Sequence, residues 1–117
     1  MKAQLVSFGL IEIDGQRYGH DVVLEGGLVR RRKKAPSKPY RERYGHTPLS
    51  PDEAIPWSSG TLIVGTGASA QLPITPELYS EAARRGVKVV ALSTKAACRL
   101  LRSADRTEVT AILHVTC

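Results

Sequence analysis

The alternation of apolar and polar positions predicts strands in the first half of the chain. Residues 5–13 alternate imperfectly and end at the Asp-Gly pair 14–15. This pair is a strong hairpin signal, because both central residues of a type I′ turn need positive φ. We expect residues 17–24 to form the returning strand. A Gly-Gly pair at 26–27 predicts a second turn, and a short third strand begins at 28–29.

The second half shows strands alternating with helices. Residues 61–64 are continuously apolar, which is typical of a strand covered on both faces. A helix is predicted from Thr75 to Gly86, then a strand over 87–92, a helix from Ser93 or Thr94, and a final strand over 108–115. The inner faces of the two helices are predicted to carry Leu78, Tyr79, Ala82, Ala83, Ala97, Leu100, Leu101 and Ala104. Helical connections favour parallel pairing of strands, so the pattern predicts an α/β fold with a C-terminal β-α-β-α-β segment.

A basic loop over residues 30–46 separates the two halves. The stretch 35–46 has little apolar content and contains Pro36 and Pro39, which predicts a loop. The Ser-Pro-Asp-Glu sequence at 50–53 has the spacing of a capping box and predicts a short helix that ends before Pro56.

The length of 117 residues and the apolar fraction of 42% predict a single folded domain, 1–117. There is no signal sequence and no apolar run of about 20 residues, so we expect no membrane span and a cytoplasmic protein. The two cysteines and three histidines have no metal-binding spacing, and neither a metal nor a cofactor is expected. A core of this size leaves association with a second copy open.

The net charge of +6 is concentrated between residues 30 and 43, where Glu42 is the only acid. Such a concentration makes polyanions candidate partners of this chain. The predicted partner-binding residues are Arg30, Arg31, Arg32, Lys33, Lys34, Arg41 and Arg43. Three roles stay open: docking on an acidic protein surface, binding of nucleic acid with help from Tyr40 and Tyr44, and a merely solvated loop.

The glycine pair in Gly65-Thr66-Gly67 is a second candidate site, because it directly follows a predicted buried strand. Residues 65–70 fit the dinucleotide pattern G-x-G-x-x-A, but the helix begins only near Pro76 and no acid ends the following strand. Two interpretations remain, a structural turn and a pocket for a small polar or anionic ligand. The ligand-binding residues predicted for the pocket are Gly65, Thr66, Gly67, Thr94 and His46.

No set of residues in the sequence has the pattern of a catalytic site, and a non-enzymatic protein is expected. His114 alternates within an apolar strand, so we interpret it as a structural histidine. Cys98 lies beside the inner stripe of the last helix and is expected to be an inert apolar residue. Cys117 is expected to be exposed.

An ordered set of short motifs resembles the adipogenesis-associated Mth domain family, which includes a mitochondrial respiratory complex I assembly factor. The motifs are Ile11-Glu12-Ile13-Asp14-Gly15, His20-Asp21-Val22-Val23, Tyr44-Gly45-His46, Leu49-Ser50-Pro51-Asp52-Glu53, the run Leu62 to Gly67, Leu72, Pro76-Glu77-Leu78, Gly86-Val87-Lys88-Val89 and Ser93 to Cys98. A departure stands at 99–102, where Arg-Leu-Leu-Arg replaces the Tyr-Asn of many members.

The resemblance implies a three-layer α/β fold with a mixed central sheet and no established reaction. It also implies action through a protein partner during assembly. The leading functional prediction is therefore a non-enzymatic protein-interaction or assembly module, with the ligand pocket and the nucleic-acid role as alternatives.

Overall fold

The computed structural model describes residues 1–117 and contains eight strands, one 3₁₀ helix and three α-helices. In chain order they are β1 (Ala3–Ser7), β2 (Leu10–Ile13), β3 (Gln16–Tyr18), β4 (Val22–Glu25), β5 (Leu28–Arg31), the 3₁₀ helix (Ala35–Tyr40), α1 (Arg41–Tyr44), β6 (Thr61–Gly65), α2 (Pro76–Arg84), β7 (Lys88–Leu92), α3 (Thr94–Leu101) and β8 (Thr110–Leu113). No helix has the length and apolar character needed to cross a bilayer.

The strands form two sheets, and the larger one is mixed. Strands β1, β2 and β3 make a small antiparallel sheet, whereas the five-stranded sheet has the order β5-β4-β8-β6-β7. Strand β6 pairs in parallel with both β7 and β8, and β4 is antiparallel to β5 and β8. The predicted α/β class with a mixed central sheet and a β-α-β-α-β second half is confirmed.

Both faces of the five-stranded sheet are covered, which makes the fold three-layered. Alternate residues of its central strands point to opposite faces. One face packs against α3 and the small sheet, through Val22, Leu24, Ile63, Ala111 and Leu113. The other face packs against α2 and the segment around Leu49 and Ile55, through Val23, Leu62, Val64 and Ile112.

The first half contains one more hairpin than the sequence predicts. The predicted turn at 14–15 is present, with φ of 48° at Asp14 and 87° at Gly15, and it joins β2 to β3. The predicted single strand over 5–13 is wrong, because the chain turns at Gly9, where φ is 84°. The predicted strand over 17–24 is also divided, since β3 and β4 belong to different sheets.

Two predictions between the halves are corrected. Residues 35–44 of the predicted loop are helical: Pro36 lies in the first turn of the 3₁₀ helix, and Gly45 ends α1 with φ of 75°. The predicted helix at 50–53 is instead a turn. Its Glu53 carboxylate is buried and bonded to Arg32, so it does not cap a helix.

The buried stripes of α2 and α3 both differ from the prediction. On α2, Leu78 and Ala82 are buried, but Tyr79 and Ala83 are exposed. On α3 the buried residues are Thr94, Ala97, Cys98 and Leu101, which is the predicted spacing shifted by one turn. The shift leaves Leu100 45% exposed.

Candidate functional site

A cleft of about 360 Å³ opens where the basic segment, residues 30–46, meets the carboxyl ends of β6 and β8. Its walls come from the chain after β5, the 3₁₀ helix and α1, the loop after β6, and the residues after β8. The lining residues are Arg32, Lys34, Lys38, Arg41, His46, Thr47, Gln71, Leu72, His114, Thr116 and Cys117. The carboxyl ends of parallel strands are the usual place for ligands in α/β sheets.

A buried ion pair underlies this cleft. The Arg32 guanidinium contacts both Glu53 carboxylate oxygens, Nε to Oε1 at 2.8 Å and Nη2 to Oε2 at 2.9 Å. It also donates to Asp21 Oδ2 at 3.0 Å and to the Pro48 carbonyl oxygen at 3.0 Å. Burial alone would lower the pKa of Arg32, but the carboxylates of Glu53 and Asp21 raise it above its usual value. Arg32 was predicted to bind a partner, but the residue is only 5% exposed and its guanidinium is already paired with Glu53 and Asp21.

Asp21 links this ion pair to the end of β8. Its Oδ2 atom lies 2.7 Å from Nδ1 of His114, and Oδ1 accepts the Val115 N–H at 2.9 Å. Burial works against ionisation of this carboxyl, but the His114 and Val115 contacts and the Arg32 charge lower its pKa to about 2. Asp21 is thus ionised throughout the neutral range.

The low pKa of Asp21 predicts a loss of stability in acid. A carboxyl whose pKa lies below its ordinary value of 3.8 stabilises the fold fully above that value. The stabilisation, about 2 kcal/mol, disappears as the pH falls from about 4 towards 2. Urea unfolding across this interval should show the loss, and Asp21→Asn should reduce the slope of unfolding free energy against pH. Equal slopes in both proteins would contradict the assignment.

His114 lies between two hydrogen-bond partners at the floor of the cleft. Its Nδ1 atom contacts Asp21, and its Nε2 atom lies 3.2 Å from the Thr116 hydroxyl oxygen. Residues 114 and 116 share a face because they are two apart on extended backbone. That spacing was visible in the sequence, but the contact with Asp21 joins residues 93 positions apart and had no sequence signal.

The glycine loop does not present its N–H groups to the cleft. The Gly67 N–H donates to the Thr94 hydroxyl at 2.8 Å, and the Thr66 N–H donates to the Leu92 carbonyl at 2.8 Å. The next N–H groups, of Ala68 and Ser69, donate to the carbonyls of Thr116 and Cys117. These bonds hold the segment after β8 in place, as a structural turn would.

Of the predicted ligand-binding residues, only His46 lines the cleft. Thr94 is fully buried, and its hydroxyl donates to the His114 carbonyl. A Cβ atom at Gly65 would lie 2.9 Å from the Thr94 hydroxyl oxygen, so this glycine allows close packing of β6 against α3. The structure therefore places Gly65, Thr66, Gly67 and Thr94 behind the cleft wall.

The predicted partner-binding residues divide between the cleft and the outer surface. Arg32, Lys34 and Arg41 line the cleft, together with Lys38. The other basic residues do not line it: Arg30 donates to the Ala54 carbonyl at 2.6 Å, Arg43 lies 3.8 Å from Glu77, and Arg31 and Lys33 are exposed.

The charge balance of the cleft is strongly positive. No Asp or Glu is among its lining residues. The charge of Arg32 is balanced by Glu53 and Asp21, whereas Lys34, Lys38 and Arg41 form no ion pair. Three uncompensated cations therefore converge on one concave site, which suits a negatively charged ligand.

The two cysteines differ in their surroundings. Burial raises the pKa of the Cys98 thiol to about 11, although a hydrogen bond from the Leu5 backbone and the charge of Arg102 oppose the rise. Cys98 is thus protonated, as an inert core residue would be. Cys117 is half-buried and lines the cleft, contrary to its predicted exposure. No three His, Cys, Asp or Glu side chains are placed to hold a metal ion.

The fold is similar to that of several solved structures. The conserved hypothetical protein PH1505 from Pyrococcus horikoshii OT3 is 32% identical, with a TM-score of 0.81 over 100% of both chains. A protein named MT938 is 24% identical, with a TM-score of 0.66 over 95% of this chain and 94% of its own. A Mth938-like domain protein from Bordetella pertussis is 22% identical, with a TM-score of 0.58 over 97% of this chain and 85% of its own.

No curated protein matches the chain at a significant level. A family model described as "Protein of unknown function (DUF498/DUF598)" matches residues 3–114. This match and the Mth938-like neighbours confirm the resemblance to the Mth domain family. The chain therefore belongs to the DUF498/DUF598 family of proteins of unknown function.

Proposed function

We propose that this protein binds a small anionic ligand in the cleft at the carboxyl ends of β6 and β8. The observation that carries the proposal is the convergence of Lys34, Lys38 and Arg41, without an acidic neighbour, on a concave site. Ligand pockets are concave sites with a few convergent polar groups, and their volumes are typically about 300–1,000 Å³. Phosphate and carboxylate groups are the ligands that lysine and arginine side chains bind best.

The buried ion pair supports this role by fixing the floor of the cleft. Every buried side-chain nitrogen and oxygen has a hydrogen-bond partner, so the groups below the cleft are held in one arrangement. The free cations lie on the wall formed by the 3₁₀ helix and α1. An anionic ligand bound beside this wall would neutralise the positive charges of Lys34, Lys38 and Arg41, which otherwise repel one another.

A titration with inorganic pyrophosphate tests the proposal, with two neighbouring lysines as matched variants. Lys34 lines the cleft, whereas Lys33 is exposed outside it. Lys34→Ala should weaken binding about tenfold, the loss of one charge-assisted contact, and Lys33→Ala should leave the affinity unchanged. Isothermal calorimetry at low salt would measure both. Absence of binding, or equal effects of the two substitutions, would contradict a specific site.

Docking of a protein partner, which was the leading prediction from the sequence, is the second candidate function. It is supported by Arg31 and Lys33, which are exposed and form no ion pair, and such charges steer association with an acidic surface. The nucleic-acid alternative is separated by the same titration with a single-stranded oligonucleotide. Nucleic-acid binding should depend on Lys33 as much as on Lys34 and should fall steeply with added salt.

A further inference from the structure

We propose that Thr116, His114 and Asp21 act as nucleophile, general base and orienting carboxylate in the hydrolysis of a small ester that carries a negative charge. The proposal rests on the anion-binding function proposed above, because the ester would be held by the same cleft. It adds a reaction to that site.

The geometry of the three side chains is that of a nucleophile joined to an oriented base. The Asp21 carboxylate lies 2.7 Å from Nδ1 of His114, and Nε2 of the same ring lies 3.2 Å from the Thr116 hydroxyl oxygen. A nucleophile within hydrogen-bond reach of a base that a third group orients is the recurring arrangement of nucleophilic catalysis. The three residues lie on two different segments, and only the fold brings them together.

The protonation pattern follows from the contacts of Asp21. Because this carboxylate is ionised, it accepts a hydrogen bond from Nδ1 of His114, which therefore carries a proton. With the proton on Nδ1, the base form of the ring has Nε2 as its acceptor, and the Thr116 hydroxyl can donate to it. Asp21 is itself held by Arg32 at 3.0 Å and by the Val115 N–H at 2.9 Å, so the orientation of the ring is fixed.

The position of the hydroxyl also fits this role. Thr116 and His114 both line the cleft, and the His114 side chain is 13% exposed. The backbone of Thr116 is held in place by the Ala68 N–H, which donates to its carbonyl oxygen at 2.7 Å. A nucleophile fixed by backbone bonds loses little freedom on reaction, which lowers the entropic part of the barrier.

The reaction balances with water as the only co-reactant. The Thr116 oxygen attacks the ester carbonyl carbon, and its proton passes to Nε2 of His114. The carbon–oxygen bond to the alcohol breaks, and the alcohol leaves with that proton. Water then attacks the acyl-threonine with His114 as base, which releases the carboxylic acid and restores the hydroxyl. The cations that line the cleft stabilise the negative charge of the substrate and of the tetrahedral intermediate.

The test uses 4-sulfophenyl acetate as an anionic ester, in a Cys117→Ala background. This background is needed because the Cys117 thiol lines the same cleft and would react with the probe itself. We expect a rapid release of 4-hydroxybenzenesulfonate and an acetyl group on Thr116, located by peptide mass spectrometry. Thr116→Val and His114→Gln should each lower the rate of acylation at least about a hundredfold.

Two further variants make the result specific. Thr116→Ser keeps a hydroxyl and should retain the reaction, whereas Thr107→Val removes a hydroxyl from the turn before β8, at the opposite end of that strand, and should change nothing. A protein that binds pyrophosphate but forms no adduct, or reacts equally without the Thr116 hydroxyl, would overturn the reaction and leave anion binding intact. Failure to bind pyrophosphate would contradict the proposed function itself.

Discussion

Glu53→Gln is expected to lower the free energy of unfolding by about 3 kcal/mol. The Glu53 carboxylate accepts two hydrogen bonds from Arg32 and a third from the Ser37 hydroxyl. The side chains of Arg32 and Glu53 are 2% and 3% exposed, so water cannot replace a lost contact. The substitution therefore leaves a buried guanidinium with Asp21 as its only acidic partner.

Urea unfolding at neutral pH would measure this loss, with Glu12→Gln as the matched control. Glu12 pairs with Arg17 at 3.2 Å, but the two side chains are 33% and 61% exposed. Because exposed pairs contribute about 1 kcal/mol or less, the control should change stability little. If Glu53→Gln lowers the free energy of unfolding no more than Glu12→Gln does, the buried ion pair does not stabilise the floor of the cleft.

Gly67→Ala is expected to destabilise the protein by about 3 kcal/mol, through backbone strain and steric overlap together. Gly67 has φ of 112°, a conformation that other residues rarely adopt. An added Cβ atom would lie 2.3 Å from the Cys117 carbonyl carbon and 2.8 Å from the Thr116 carbonyl oxygen. The segment after β8 would have to move, and its bonds from Ala68 and Ser69 would break.

Gly60→Ala is the matched control, because its added Cβ would meet no atom within 4 Å and its φ is not positive. The free energies of unfolding of the two variants, measured by thermal and urea unfolding, should differ by most of the loss expected for Gly67→Ala. Gly67→Ala should also weaken pyrophosphate binding, since His114, Thr116 and Cys117 belong to the displaced segment. Equal stability of the two variants would show that the segment moves without cost.

The basic segment shows how tertiary contacts divide residues that look alike in sequence. Residues 30–34 are five consecutive cations, and sequence alone treats them as one surface. In the fold, Arg32 is buried against two carboxylates, Lys34 lines the cleft and Lys33 is exposed. The difference depends on Asp21 and Glu53, whose positions relative to the segment are decided by the pairing of β4 with β8 and by the turn at 50–53.

The candidate site was only partly predictable for the same reason. His46 and the basic residues could be named from composition, and a pocket at the carboxyl end of β6 could be expected from the strand–loop pattern. The prediction placed ligand contacts on the glycine loop, because nothing in the sequence shows that its N–H groups are already bonded to Leu92, Thr94 and the chain after β8. The Asp21–His114 contact had no local signal at all.

The sequence by itself determined the α/β class, the strands and helices of the second half, and the turns at 14–15 and 26–27. These features depend on hydrophobic period and on backbone conformations that specific residues favour, both of which are local properties. Only the tertiary structure decided the division of the first half into two sheets, the burial of Arg32 and the assembly of the cleft. Each of these depends on contacts between residues far apart in the chain, such as Arg32 with Glu53 and Asp21 with His114, which no local pattern records.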